Sequence, residues 1–199
     1  RELWMTNGYD LPVLLADIYV DDSINPSSSP RALTAVGDIL YFVANDIVHG
    51  NEPWRSDGTP GGTRLVKDIF PGRPGSEPRE LTAVDGWLYF TADDGVNGER
   101  LWRSDGTAEN TLIVNPILHS PQDLIVYQGS LYCTGTSEND KNGRELWRIE
   151  PPSPGGRLKD IAVGERSSNV RDLEVAGGFL YFLADDGIHG EELWRTDGT

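Results

Sequence analysis

Five tryptophans punctuate the chain at nearly equal intervals, and that spacing restricts the fold more than any other feature. Trp4, Trp54, Trp102, Trp147 and Trp194 lie 50, 48, 45 and 47 residues apart. Each sits in a near-copy of one stretch, Glu99-Arg100-Leu101-Trp102-Arg103-Ser104-Asp105-Gly106-Thr107. The copies begin at Glu2, Glu52, Glu145 and Glu192, and the last runs to Asp197-Gly198-Thr199. A period of about 40 to 50 residues is that of propeller blades, units that cannot bury their faces alone and must stack.

Within one period the pattern is that of short strands. Leu33-Thr34-Ala35-Val36, the turn signal Gly37-Asp38 and the branched and aromatic run Ile39 to Ala44 make a hairpin. A third strand carries Glu52-Pro53-Trp54-Arg55, and Asp57 to Gly62 turns the chain into a fourth, Thr63 to Ile69. Pro71 to Pro78 is too rich in proline and glycine to continue a strand and carries the chain to the next unit. The expected blades are about 31–70, 79–118 and 122–162, flanked by partial blades 1–30 and 171–199, all in one repeat domain. No long segment keeps apolar residues at helical spacing.

The second strand decides the architecture. Leu40-Tyr41-Phe42, Leu88-Tyr89-Phe90, Leu131-Tyr132-Cys133 and Leu180-Tyr181-Phe182 put large residues on successive positions, which point to opposite faces of a sheet. Both faces must therefore be covered, as they are when small sheets stack radially. The expectation is an all-β, propeller-type repeat of four-stranded antiparallel blades. With about four repeats between Trp4 and Trp194, it is expected to form part of a larger propeller, a ring completed by self-association, or an open filament. Because the chain both opens and closes on the Glu-Leu-Trp motif, it reads as a segment of a longer protein.

Charge narrows the partners. A formal net charge of -15, from 32 acidic and 17 basic side chains, repels a phosphate backbone, and neither nucleic acid nor an anionic membrane is expected as a partner. No apolar run approaches the length of about 20 residues that a membrane helix needs. The single cysteine, Cys133, stands where other units have Phe42, Phe90 and Phe182 and reads as a small core residue.

These residues resemble the bacterial ELWxxDGT repeat family over essentially the whole length. The unit around Trp102 carries the fullest match: Gly95, Gly98, Glu99, Leu101-Trp102 and Ser104-Asp105-Gly106-Thr107, with Lys67-Asp68-Ile69, Pro71-Gly72, Ser76, Pro78, Leu81-Thr82 and Leu88-Tyr89-Phe90 upstream. The third unit departs from it, with Ile149-Glu150-Pro151-Pro152 in place of Ser-Asp-Gly-Thr and Asn115-Pro116 in place of Lys-Asp. The resemblance implies a propeller-like fold in secreted or surface-attached proteins and brings no established activity with it.

One candidate metal site recurs. Before each third strand lie Asn45-Asp46, Asp93-Asp94, Glu138-Asn139 and Asp185-Asp186, then a glycine, then Glu52, Glu99, Glu145 and Glu191 or Glu192. Asp93, Asp94 and Glu99, and Asp185, Asp186 and Glu191, offer the oxygen-rich loop that calcium requires, although a plain turn accounts for the same residues. Asp57-Gly58-Thr59 and its copies read as hairpin turns. No nucleophile and base recur together, and no phosphate or dinucleotide fingerprint is present. The expected role is a non-enzymatic extracellular scaffold binding a protein or a polymer through its loops. The alternative is a lectin-like propeller, for which Trp87 is the aromatic outside the regular column.

Overall fold

The computed structural model describes residues 1–20, 27–137, 143–151, 153–163 and 167–199. Glu138, Asn139 and Pro152, named above, lie outside the described residues. Seventeen strands follow one another with no helix among the described residues. They are β1 (Leu3–Met5), β2 (Val13–Ala16), β3 (Arg31–Val36), β4 (Ile39–Asn45), β5 (Asn51–Ser56), β6 (Arg64–Leu65), β7 (Arg79–Val84), β8 (Trp87–Asp93), β9 (Glu99–Ser104) and β10 (Leu112–Ile113). Then come β11 (Leu118–Tyr127), β12 (Ser130–Ser137), β13 (Glu145–Ile149), β14 (Gly156–Arg157), β15 (Arg171–Ala176), β16 (Phe179–Asp185) and β17 (Glu191–Thr196).

The strands form meanders in chain order: β3-β4-β5-β6, β7-β8-β9-β10 and β11-β12-β13-β14, with a pair β1-β2 and a three-stranded sheet β15-β16-β17. All the strand pairs described are antiparallel. The protein is thus an all-β repeat of four-stranded propeller-type blades. The fourth strands are shorter than the sequence suggests, two residues each. Beyond them a single amide reaches back, Val66 to Pro53 O (2.9 Å) and Leu158 to Leu146 O (2.9 Å), before the chain turns away.

The chain divides into two compact units, Arg1–Gly98 with Trp102–Leu112, and Glu99–Leu101 with Ile113–Thr199. In the first, Leu3, Leu15 and Ile18 pack with Phe42 and Ala44, and Leu40 and Trp54 flank them. In the second, Leu146 and Ile161 pack with Leu180, Phe182 and Ala184, flanked by Trp194. These are the same repeat positions. The third-strand leucine and the isoleucine after the fourth strand of one blade fill against the second strand of the next. That strand is buried on both faces at Tyr41-Phe42-Val43, Leu88-Tyr89-Phe90 and Leu131-Tyr132-Cys133, as a two-sided run of large residues requires.

The innermost strands hold a feature that the sequence does not announce. Ala32, Glu80, Asp123 and Asp172, each the residue before the strand's leucine, have φ of 53°, 53°, 57° and 55°. Ser29, Glu77, Ser120 and Asn169, three residues earlier, have φ of 47°, 49°, 46° and 48°. The ladder register shifts at the same place in each, between Arg31 and Thr34, Arg79 and Thr82, Gln122 and Ile125, and Arg171 and Glu174. Each inner strand therefore carries a bulge built on left-handed residues that are not glycine, at its start in β3, β7 and β15 and within the longer β11, each costing about 1–3 kcal/mol that neighbouring contacts must offset.

Candidate interaction site on the blade loops

The loop between the second and third strands is built by its aspartates. Asp94 Oδ1 accepts the amides of Val96 (2.9 Å) and Asn97 (2.6 Å), and its Oδ2 accepts Asn97 Nδ2 (2.6 Å). Asp186 does the same with Ile188 N (2.9 Å), His189 N (2.8 Å) and His189 Nδ1 (2.7 Å), and Asp46 with Val48 N (3.0 Å), His49 N (2.8 Å) and His49 Nδ1 (2.6 Å). The residue before each closes the turn, with Asn45 Oδ1 on Ile47 N, Asp93 Oδ1 on Gly95 N and Asp185 Oδ1 on Gly187 N, each at 2.7 Å. Short polar side chains that bond their own backbone two or three residues on fix a loop without outside help.

The bonds set the charges. The amide and imidazole bonds from His189 hold Asp186 down to about 2, and the bond from Asp186 raises His189 above its ordinary value. At Asp46 and Asp94 partial burial pushes the carboxyl up, but the bonds from His49 and Asn97 outweigh it and hold both low. Asp46, Asp94 and Asp186 are therefore held in the ionised form over the physiological range.

Each loop displays an aliphatic side chain at its tip. Val48, Val96 and Ile188 are 63%, 86% and 82% exposed. All three stand six residues before their tryptophan, a signal that counting from the repeat anchor could have found.

The calcium candidates occupy two kinds of place. Asp93, Asp94, Asp185 and Asp186 are engaged by the amides of their own loops. The glutamates that sequence aligned as one column separate into two, because neighbouring residues of a strand face opposite ways. Glu191, three before the tryptophan and paired across the ladder with Asp185, gives both carboxylate oxygens to Arg171 Nη2 (2.7 and 2.6 Å). Glu99 shares its position, and its carbonyl accepts Arg100 Nη1 (3.2 Å). Among the described residues no three His, Cys, Asp or Glu side chains gather in a group able to hold a metal ion.

Two before the tryptophan, three carboxylates form internal latches, while Glu192 at the same position of the last sheet is exposed. Glu52 accepts Phe70 N (3.0 Å), Ser76 N (2.9 Å) and Ser76 Oγ (2.5 Å). Glu145 accepts Ile161 N (3.2 Å), Ser168 N (3.1 Å) and Ser168 Oγ (2.8 Å), and Glu2 accepts Ile18 N (3.1 Å), Ser28 N (2.8 Å) and Ser28 Oγ (2.6 Å). Each ties the chain leaving a fourth strand to the crossover that enters the following blade. The second blade has Arg100 at this position.

The Asp-Gly-Thr segments are turns, as their sequence indicates. Asp105 Oδ1 accepts Thr107 N (2.9 Å) and Thr107 Oγ1 (2.7 Å), and Asp57 and Asp197 repeat the pattern. They also dock on their neighbours. Arg55 Nη1 reaches Gly106 O (3.5 Å), and Arg148 Nη1 donates to Gly198 O. Trp87, the aromatic outside the tryptophan column, is half-buried and has the Arg103 guanidinium 4.9 Å from its ring centre.

In the second unit a cleft of about 240 Å³ is lined by Trp194, Lys159, Arg195, Thr196, Thr199 and neighbouring apolar residues. No helix is long and apolar enough to cross a membrane among the described residues.

No family model matches the chain, and no curated protein matches it. Solved structures do. A puromycin hydrolase mutant in complex with PGG shares 18% identity over 94% of this chain and 28% of its own, with a TM-score of 0.53. The likeness is one of fold. The Bacteroides ovatus xyloglucan PUL GH43B protein shares 17% identity over 86% of this chain and 39% of its own, with a TM-score of 0.43. A GH43 endo-arabinanase from Bacillus licheniformis shares 16% over 92% and 73%, with a TM-score of 0.37. The chain thus spans well under half the length of the first two.

Proposed function

We propose that this chain is a non-enzymatic, extracellular interaction scaffold whose blade loops bind a protein or polymer partner. The observation that carries the reading is the repeated loop tip: three loops spend the same set of hydrogen bonds to hold one aliphatic side chain each in water, at Val48, Val96 and Ile188. Isolated exposed aliphatics are ordinary, but one held rigidly at the same repeat position three times is a presented surface. The loop aspartates serve turns and three glutamates serve latches, and the tips recur as exposed apolar residues. The resemblance to ELWxxDGT repeats supports placement outside the cell. No resident cofactor is part of this reading, although calcium at the Asp93-Asp94 and Asp185-Asp186 loops is the ion that the loops' oxygens would suit.

The test is binding to arrays of extracellular-matrix proteins and polysaccharides, with wild type beside a Val48→Ser, Val96→Ser, Ile188→Ser variant. Loss of binding in a variant that melts like wild type supports the scaffold. Equal binding by both, or silence across both arrays, overturns it.

The second reading, a carbohydrate-binding propeller, is favoured by the cleft around Trp194, where an indole, two cations and two hydroxyls converge. Polysaccharide binding abolished by Trp194→Ala, and indifferent to the three loop substitutions, would select it.

A further inference from the structure

The crossover from β6 to β7 joins a buried acid to one of the presented tips. Glu52 is fully buried and receives Phe70 N, Ser76 N and Ser76 Oγ. The same crossover grips the next loop at two points. Ser76 O accepts the amide of Asp93 (3.0 Å), and the Phe70 ring lies so close to Gly95 that a Cβ there would come within 2.7 Å of it. Val96 follows directly. Glu52, the crossover 70–76 and the loop 93–97 are thus one mechanical chain within the first unit.

We propose that Glu52 is an acid-held strut, which keeps the crossover and the Val96 tip docked when its carboxyl is protonated and releases them as it ionises. The inference rests on the tip loops as the binding element and adds their regulation. In the neutral form Oε1 still accepts the two amides, and Oε2–H and the Ser76 hydroxyl share one hydrogen bond with no net charge in the buried site. In the ionised form the three donors remain, but a full charge sits in a buried place, a costly arrangement. Burial pushes Glu52 up to about 7 against the pull of its bonds to Ser76, Phe70 and Ile69. The charged group sharing its field is His49, from the loop between β4 and β5, which is itself held by Asp46 and also feels Asp68, beyond β6. Protonated His49 favours the ionised form.

When the crossover lifts, Glu52 meets water and returns to the ordinary carboxylate range. Between about pH 5 and pH 7 the docked form therefore binds the proton that the lifted form has lost. The opening constant rises by about tenfold per pH unit across that window and levels off above it.

Amide hydrogen exchange on the 199-residue chain at pH 5, 6, 7 and 8, corrected for intrinsic rates, tests this at Phe70, Ser76, Gly95 and Val96. The expected result is the same pH step at all four, removed by Glu52→Gln and kept, shifted at most in its midpoint, by His49→Asn, which installs the residue that Asn97 already supplies one blade on. Should Glu52→Gln fail to fold, Phe70→Leu keeps the step at Ser76 and reduces it at Val96, where only the bond from Asp93 N to Ser76 O still transmits it. A flat wild-type profile, a step abolished by His49→Asn, or a Val96 amide that follows its own course overturns the strut. Because the readout needs no ligand, failure of the binding role leaves this result standing and the reverse holds too.

Discussion

Lys67 lies over the indole of Trp102, with Nζ 5.7 Å from the ring centre, while the same ammonium donates to Thr111 O at 2.7 Å. One side chain beyond the fourth strand of a blade thus fixes both the third strand and the outer edge of the next. Lys159 sits over Trp194 at 5.8 Å in the second unit. A charge held over the face of an aromatic contributes about 0.5–2 kcal/mol, and the buried indole itself far more.

Trp102→Ala is therefore expected to cost about 3–5 kcal/mol. Trp102 is 6% exposed, whereas Trp4, the same motif position in the first sheet, is 57% exposed. Trp4→Ala should cost about 1 kcal/mol or less, in line with surface substitutions. Urea denaturation of the two variants checks the difference, and equal losses would mean that the tryptophan column does not owe its weight to stacking.

Glycine in the Asp-Gly-Thr turn has two separable jobs. Gly58 has φ +86° with nothing within 4 Å of a Cβ, so Gly58→Ala should cost about 1–2 kcal/mol from left-handed strain alone. At Gly106, φ +90°, a Cβ would come 2.6 Å from both Arg55 Nη1 and Tyr41 Oη. Gly106→Ala should exceed Gly58→Ala by about 1–3 kcal/mol through overpacking. Similar melting temperatures for the two would show that the docked turn yields freely.

Ser168→Ala removes the hydroxyl and keeps the amide bond to Glu145. The expected loss is about 1–3 kcal/mol, the usual consequence of depriving a buried carboxylate of a donor. Burial already raises Glu145 against its bonds to Ser168 and Ile161, and losing one such bond raises it further. Chemical denaturation with a carbon-detected titration of the Glu145 carboxyl reads both effects.

The His189–Asp186 pair makes the last loop pH-dependent. His189 is raised in the folded loop, so its bond to Asp186 contributes fully below the ordinary histidine value and fades as pH rises through the raised one. NMR titration should place the His189 midpoint above about 6.5, and Asp186→Asn should return it there. An unshifted wild-type midpoint would show that the pair is not formed in solution.

Much of the blade was legible because strand signals are local. The hairpin at Gly37-Asp38, the third strand at Trp54 and the two-faced run at Tyr41-Phe42 follow from turn chemistry and burial demand. The inner-strand bulge was not, since Ala32 and Glu80 carry no preference for left-handed backbone; tertiary contacts impose it. Glu52 and Glu99 looked like one column until strand register placed them a residue apart and so on opposite faces. Phe70 against Gly95 was invisible because its partners lie 25 residues apart and meet only when one blade closes on the next.

The bulge in each inner strand has a genealogical consequence. Alanine, glutamate and aspartate all adopt the same bend there, so the instruction to bend resides in the surroundings that every duplicated segment carries with it. A gene encoding such a segment can be copied in tandem and its copies can then drift at these positions, each still threading into the array at the correct pitch.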